Sequence, residues 1–172
     1  MVVCASISGM RKALFALPLL VMLAGCGGSS SSTSAALTPN LQFTSDVTSN
    51  FKNLKTYTNG ATDGYNQLSG TTTINGQTAT VETQAVVNYV NGSGPFNGLI
   101  TVTLPDSSAI SMKMDGTAVL DSGSGVTTFN ANLITVGGSG SWANSSGTGT
   151  FTGTRSTALG GAVHMDVALA LH

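Results

Sequence analysis

Ala109–Leu120 alternates more cleanly than any other stretch of the chain: Ile110, Met112, Met114, Ala118 and Leu120 fall in one phase, and Ser111, Lys113, Asp115 and Thr117 in the other. A strand sends successive side chains to opposite faces, so this rhythm describes a strand with one dry side and one wet side. The same period of two runs from Tyr65 to the end of the chain. Asn75-Gly76, a dipeptide suited to the left-handed backbone of a two-residue hairpin, separates Tyr65–Ile74 from Gln77–Val90. Within Gln77–Val90, Ala79, Val81, Ala85, Val87 and Tyr89 share a face against Thr78, Thr80, Glu82, Gln84 and Asn88. The turn Asn91–Pro95 leads into Phe96–Leu104, with Phe96, Ile100, Val102 and Leu104 inward, and Pro105–Ser108 turns the chain again. Beyond a turn at Asp121–Gly125, Phe129, Ala131 and Leu133 share a side, a Gly/Ser segment leads into a strand through Phe151, and Val163, Met165, Val167, Leu169 and Leu171 line up in the last strand. Seven strands at hairpin spacing with a single apolar face are satisfied by a two-sheet sandwich or by closure. The expected class is all-β, an antiparallel up-and-down β-barrel of about eight strands.

The segment before Tyr65 reads differently. Val47, Phe51 and Leu54 fall at i, i+4 and i+7, one face of a short helix, with Thr44, Ser45 or Asp46 as N-cap and Asn59-Gly60 as a stop. A helix is therefore expected here, with an extended segment covering one end of the barrel as the alternative. An eighth strand would come from near Leu41–Val47 or Lys55–Thr58.

Upstream, Met10-Arg11-Lys12 supplies a start and a positive region directly before the apolar run Ala13–Met22, so translation is expected to begin at Met10. Ten apolar residues fall short of the ~20 that a membrane-spanning helix needs, and the run ends in small residues, which marks a signal rather than a span or a short core helix. Leu23-Ala24-Gly25-Cys26 then resembles the lipobox of bacterial lipoproteins. The resemblance implies cleavage before Cys26, lipidation of its sulfur and amine, and a chain held in the bacterial cell envelope by its acyl groups. Buried acyl chains contribute about 0.8 kcal/mol per CH₂. Gly27 in place of Asp after the cysteine implies, in enteric-type sorting, passage to the outer membrane. Gly27–Thr38, Gly/Ser-rich and without apolar periodicity, reads as a flexible tether of roughly 17–21 Å end to end. The division is thus residues 1–25 signal peptide, 26–39 lipidated cysteine and tether, and 40–172 barrel.

Cys4 and Cys26 are the only cysteines, so the barrel offers no thiol for a disulfide or metal site, and a chain of this length needs neither to hold a core. After Cys26, Lys52, Lys55, Lys113 and Arg155 stand against Asp46, Asp63, Glu82, Asp106, Asp115, Asp121 and Asp166, a net of −3. That balance speaks against a nucleic-acid partner. No cofactor motif is present.

One internal segment carries a signature. Ile134–Phe151 contains Gly137, Gly138, Ser139, Gly140, Trp142 and Gly147 in an arrangement that resembles the I-T-G-G-T-G-x-F/Y-x-x-A-x-G hairpin of allene oxide cyclase-like and dirigent-like β-barrels. Ser139 stands for the family's Thr, Trp142 for its aromatic and Ser145 for its Ala, and Val136 is an extra residue before the first Gly. The resemblance implies the barrel fold and, in the plant cyclases, a cavity that holds a fatty-acid-derived epoxide with the help of a carboxylate and a water; no catalytic residue transfers by position. Glycines at this density permit a tight barrel corner, and Trp142 is placed to cap the interior beside them. A phosphate cradle would need a following Lys and a helix, and neither is present.

Other chemistry is sparse. Glu82 lies opposite the apolar set and reads as solvated. His164 and Asp166 sit two apart on the polar face of the last strand, with His172 in the same phase; a metal or proton-transfer pair is conceivable there, but a solvated outer face accounts for them without a third ligand. No G-x-S-x-G elbow exists, and Gly138-Ser139-Gly140 lies in a hairpin. A cavity would be walled by Val87, Tyr89, Phe96, Ile100, Ile110, Met112, Met114, Phe129, Leu133 and Met165, with Ala79, Ala85, Ala118 and Ala131 leaving room and the methionines softening the wall. Three readings follow: a non-enzymatic envelope module that binds a small apolar molecule or supports envelope structure, a cyclase or isomerase acting on a hydrophobic substrate, and a surface adhesion or assembly protein with Thr/Ser/Asn-rich outer faces. A polar group buried among apolar walls favours the enzyme, a dry cavity favours binding, and a filled core with an exposed apolar patch favours assembly.

Overall fold

A computed structural model describes residues 40–156 and 158–172. The stretches expected to be the signal peptide, the lipobox-like segment with Cys26 and the tether, up to residue 39, lie outside the described residues. Eight strands follow one another: β1 Leu41–Thr56, β2 Ala61–Ile74, β3 Gln77–Val90, β4 Gly94–Thr103, β5 Ala109–Leu120, β6 Thr127–Gly138, β7 Gly147–Arg155 and β8 Val163–Leu171, with one 3₁₀ turn, Gly140–Trp142, between β6 and β7. Each pairs antiparallel with the next, and β1 closes on β8 from Leu41 opposite Leu169 to Val47 opposite Val163. The result is a closed up-and-down barrel. Closure leaves no edge strand to be covered.

The helix expected over Val47–Leu54 is not formed, because that segment is the middle of β1. Leu41, Phe43, Ser45 and Val47 are buried in strict alternation, and the register against β2 then slips by one residue between Ser49 and Phe51, leaving Asn50 as a β-bulge. The extra residue exchanges the two faces. Phe51 is consequently 56% exposed and lies against Tyr65 at 6.0 Å, whereas Leu54 returns to the interior side. An alternating strand interrupted by a bulge thus imitates helical spacing, and closure on β8 decides between the two.

The strand order puts three connections at one end of the barrel and four at the other. One end carries the Asn75-Gly76 turn, the Pro105–Ser108 turn, the Ser139–Ser146 connection and both ends of the described barrel. Asn75 and Gly76 have φ of 51° and 78°, the left-handed pair a two-residue hairpin requires. Asn40 clamps the last strand there: its Nδ2 donates to the Leu171 carbonyl at 2.8 Å, and its Oδ1 accepts from the Leu171 N–H at 2.8 Å. Ile100, Val102, Ile110, Met112, Leu133 and Leu169, all essentially inaccessible, fill the core beside this end. The opposite end carries the Tyr57–Gly60, Asn91–Ser93 and Asp121–Val126 turns and the connection from β7 to β8.

Candidate functional site

The Gly-rich hairpin closes the filled end. Ser139 N–H donates to the Ala109 carbonyl at 2.7 Å, and Ser141 N–H donates to Oγ of the buried Ser108 at 3.0 Å, so the β6–β7 connection docks on the β4–β5 turn. Gly140 has φ +59°, and a Cβ on Gly138 would meet the Trp142 carbonyl. Trp142 packs part-buried against the core. Val136, the residue extra to the family pattern, is a bulge: Ser111 pairs with Gly137 and Met112 with Thr135, leaving Val136 without an opposite number. Gly147 begins β7, where a Cβ would strike the Ala170 carbonyl. These residues form a plug.

At the other end the interior is not filled. A cavity of about 50 Å³ lies between Val87 and Tyr89 of β3, Phe96 of β4, Met114 of β5, Phe129 of β6, Phe151 and Arg155 of β7, and Val163 and Met165 of β8, with Val47, Leu54, Asn66, Leu68, Thr83, Ala85 and Leu159 completing the wall. Of the residues placed inward by alternation, Val87, Tyr89, Phe96, Met114, Phe129 and Met165 meet here. Ile100, Ile110, Met112 and Leu133 pack into the filled half instead, and of the four small residues only Ala85 faces the cavity. The volume is far below the ~300–1,000 Å³ of drug-sized pockets, so a long-chain guest does not fit inside this barrel.

Sequence reading passed over the polar members of this wall. Arg155 continues the inward phase of β7 two places after Gly153 and four after Phe151, and this phase was the available signal. It is 7% exposed and sits directly across the ladder from Thr127. Its guanidinium donates to Thr127 Oγ1 at 3.2 Å and stands 5.3 Å from the centre of the Phe129 ring. Its Nε is buried with no partner, as is Thr83 Oγ1. Ser49 Oγ donates to Asn66 Oδ1 at 2.6 Å, which ties the bulge of β1 to the wall.

The electrostatics follow from burial. Desolvation pushes the Arg155 guanidinium below its ordinary value, opposed by the nearby Tyr89, yet an arginine stays charged in a protein. Burial pushes the Tyr89 phenol up from 10.0 to about 12, with Arg155 pulling the other way. Among the described residues lining the cavity, none is Asp, Glu, His or Cys. The site therefore has a fixed cation, hydroxyls and an amide, and no group that exchanges a proton near neutral pH.

A pH effect follows from Tyr89. Between pH 10.0 and about 12 the unfolded phenol has released its proton while the folded one keeps it, so the unfolded chain binds fewer protons and stability falls as pH rises through this window. Urea titrations from pH 9 upward are expected to show that slope and to show it reduced in Tyr89→Phe.

The outer faces hold the other candidates. Glu82 is exposed on β3. His164 Nδ1 lies 2.8 Å from Asp46 Oδ1, directly across the β1–β8 ladder, and its Nε2 lies 3.9 Å from Asp166; all three side chains are exposed. The hydrogen bond to Asp46, the largest influence, raises the His164 pKa above 6.5. Whatever the pair contributes to stability is present below 6.5 and is lost as pH rises through the folded value. An NMR titration should place the His164 midpoint above 6.5, and Asp46→Asn should lower it. Among the described residues no three metal-ligating side chains converge. A shallow depression crosses the outside of β5, β6 and β7, where Lys113, Asp115, Asn130, Asn132, Thr150 and Thr152 surround the exposed Ile134.

No family model matches this chain, and no curated protein matches it. The barrel rests on its own geometry, and the cyclase-like resemblance on the β6–β7 hairpin.

Proposed function

We propose that the chain is a lipid-anchored cell-envelope protein, held through Cys26, whose barrel binds a small, largely apolar molecule in the cavity at one end. The observation that carries this reading is the asymmetry of the interior: one end is packed and plugged, and the other retains a mostly apolar cavity. A polar group among apolar walls was the mark of an enzyme, and Arg155 is such a group. The wall nevertheless offers no acid or base that titrates near neutrality, which supports binding over proton-transfer catalysis. Asn40, the first described residue, lies at the end opposite the cavity.

Two measurements test it. In a Gram-negative host, incorporation of labelled palmitate into the full chain is expected, with its loss in Cys26→Ala; incorporation that survives this change overturns the anchor. Native mass spectra of the full chain released from membranes, followed by organic extraction, are expected to show one reproducible small bound mass. A bare mass, with no stabilisation by a panel of small apolar compounds, overturns the binding module and moves the function to the outer depression over β5–β7, the face an adhesion or assembly role would use.

A further inference from the structure

Arg155 is a charge buried without a counter-charge. Folding removes 93% of its surface from water, counting from its 7% exposure, and among the described residues no carboxylate pairs with it; the ion pairs present involve His164. Its protein partners are one hydroxyl, Thr127 Oγ1 at 3.2 Å, and the face of Phe129. Both are weak compensation for a desolvated cation, which ordinarily acquires an anion or moves to the surface. Moving it outward would have been simple. The chain ends β7 at this residue, and the next position in the alternation is exposed.

The donors left over are directional. Nε is buried without a partner and Arg155 lines the cavity, and a planar guanidinium carries its donors as a fork that matches two oxygens of a carboxylate. Thr83, whose Oγ1 is also buried without a partner, belongs to the same wall. The remaining lining is Met114, Met165, Phe96, Phe151 and their apolar neighbours, and the space is about 50 Å³. A water needs roughly 10–15 Å³ of space of this kind, so the cavity takes about four heavy atoms, and it is open on one side to the remainder of a short chain.

We infer that the cavity is a carboxylate site: Arg155 receives the head of a short-chain monocarboxylic acid, and the aromatic and methionine wall receives its apolar body. This deepens the binding role proposed above and rests on it. Tyr89, a neutral phenol at physiological pH, adds no repulsion toward an anion. The site selects for charge and against length.

The test uses the full chain in nanodiscs, titrated with sodium butyrate, with butanol as the uncharged counterpart and sodium chloride at matched ionic strength, and read by calorimetric binding and by the thermal midpoint. Butyrate is expected to bind roughly 10- to 100-fold more tightly than butanol, the range that a charge-assisted hydrogen bond supports, and to raise the midpoint while chloride leaves it unchanged. Arg155→Met, close in length and without a charge to bury, is expected to fold, which circular dichroism checks, and to lose the preference for butyrate. Arg155→Lys, which retains the charge without the fork, should retain only part of it. Equal binding of butyrate and butanol overturns the carboxylate site while leaving the apolar cavity standing. Chloride matching butyrate overturns selection for carboxylate. Binding of neither compound overturns both readings, and a preference that persists in Arg155→Met overturns the role of Arg155.

Discussion

Phe151→Ala is expected to cost about 3–5 kcal/mol, the range for deleting a buried aromatic ring. The inward face of β7 consists of Gly147, Gly149, Phe151, Gly153 and Arg155, so Phe151 is the sole large apolar side chain that this strand sends inside. It joins Phe96 edge-on at 6.1 Å and Phe129 at 6.4 Å, and those two meet edge-on at 5.8 Å. Loss of the ring breaks two of the three contacts in the trio. The flanking glycines have no side chains with which to fill the space, and the closed ladder on both sides limits collapse. Against a total stability of ~5–15 kcal/mol for a domain, a loss of this size is large. Urea unfolding of the full chain measures it. A cost under about 1.5 kcal/mol would mean that the barrel wall closes in around the vacancy.

Gly98→Val is expected to be as severe for a different reason. Gly98 lies in the inward phase of β4 between Phe96 and Ile100, across from Ala85 on β3 and Met114 on β5. A Cβ there would land on the Gln84 carbonyl oxygen and stand 3.0 Å from the Ala85 Cα. Both are backbone atoms in the neighbouring strand, so no rotamer change relieves the contact and the β3–β4 ladder must part. Ordinary overpacking costs ~1–3 kcal/mol, and a change that also breaks the ladder is expected to exceed about 3 kcal/mol. Gly137→Ala is the informative control. A Cβ at Gly137 meets nothing within 4 Å, so this glycine of the family-like hairpin should tolerate the change within about 0.5 kcal/mol, whereas the less conspicuous Gly98 should not.

The strands were legible because their alternation is a local property. Ile110, Met112 and Met114 share a face on any strand that forms there, and Asn75-Gly76 favours its turn whatever surrounds it. The first strand was not legible as one, since the bulge at Asn50 is defined by register against Leu68 and Gln67 of β2, and its first half is held by β8 at the far end of the chain. The site was legible in part. Alternation alone placed Val87, Tyr89, Phe96, Met114, Phe129 and Met165 inside, but it could not divide them from Ile100, Ile110, Met112 and Leu133, because height within a closed barrel depends on how all the strands are staggered. Arg155 was hidden by its charge, which points outward in any reading by composition, although its phase points inward.

What the sequence by itself determined is the alphabet of this molecule: period-two strands, the turns between them, an all-β barrel, and a cysteine in a lipobox-like setting. The tertiary structure alone decided which segment closes the sheet, which end is packed and which is open, and that a cation stands unpaired in the open end. The physical reason is range. Side-chain alternation and turn preference act between residues a few places apart, whereas closure, cavity position and desolvation arise from strands brought together across the full length of the barrel.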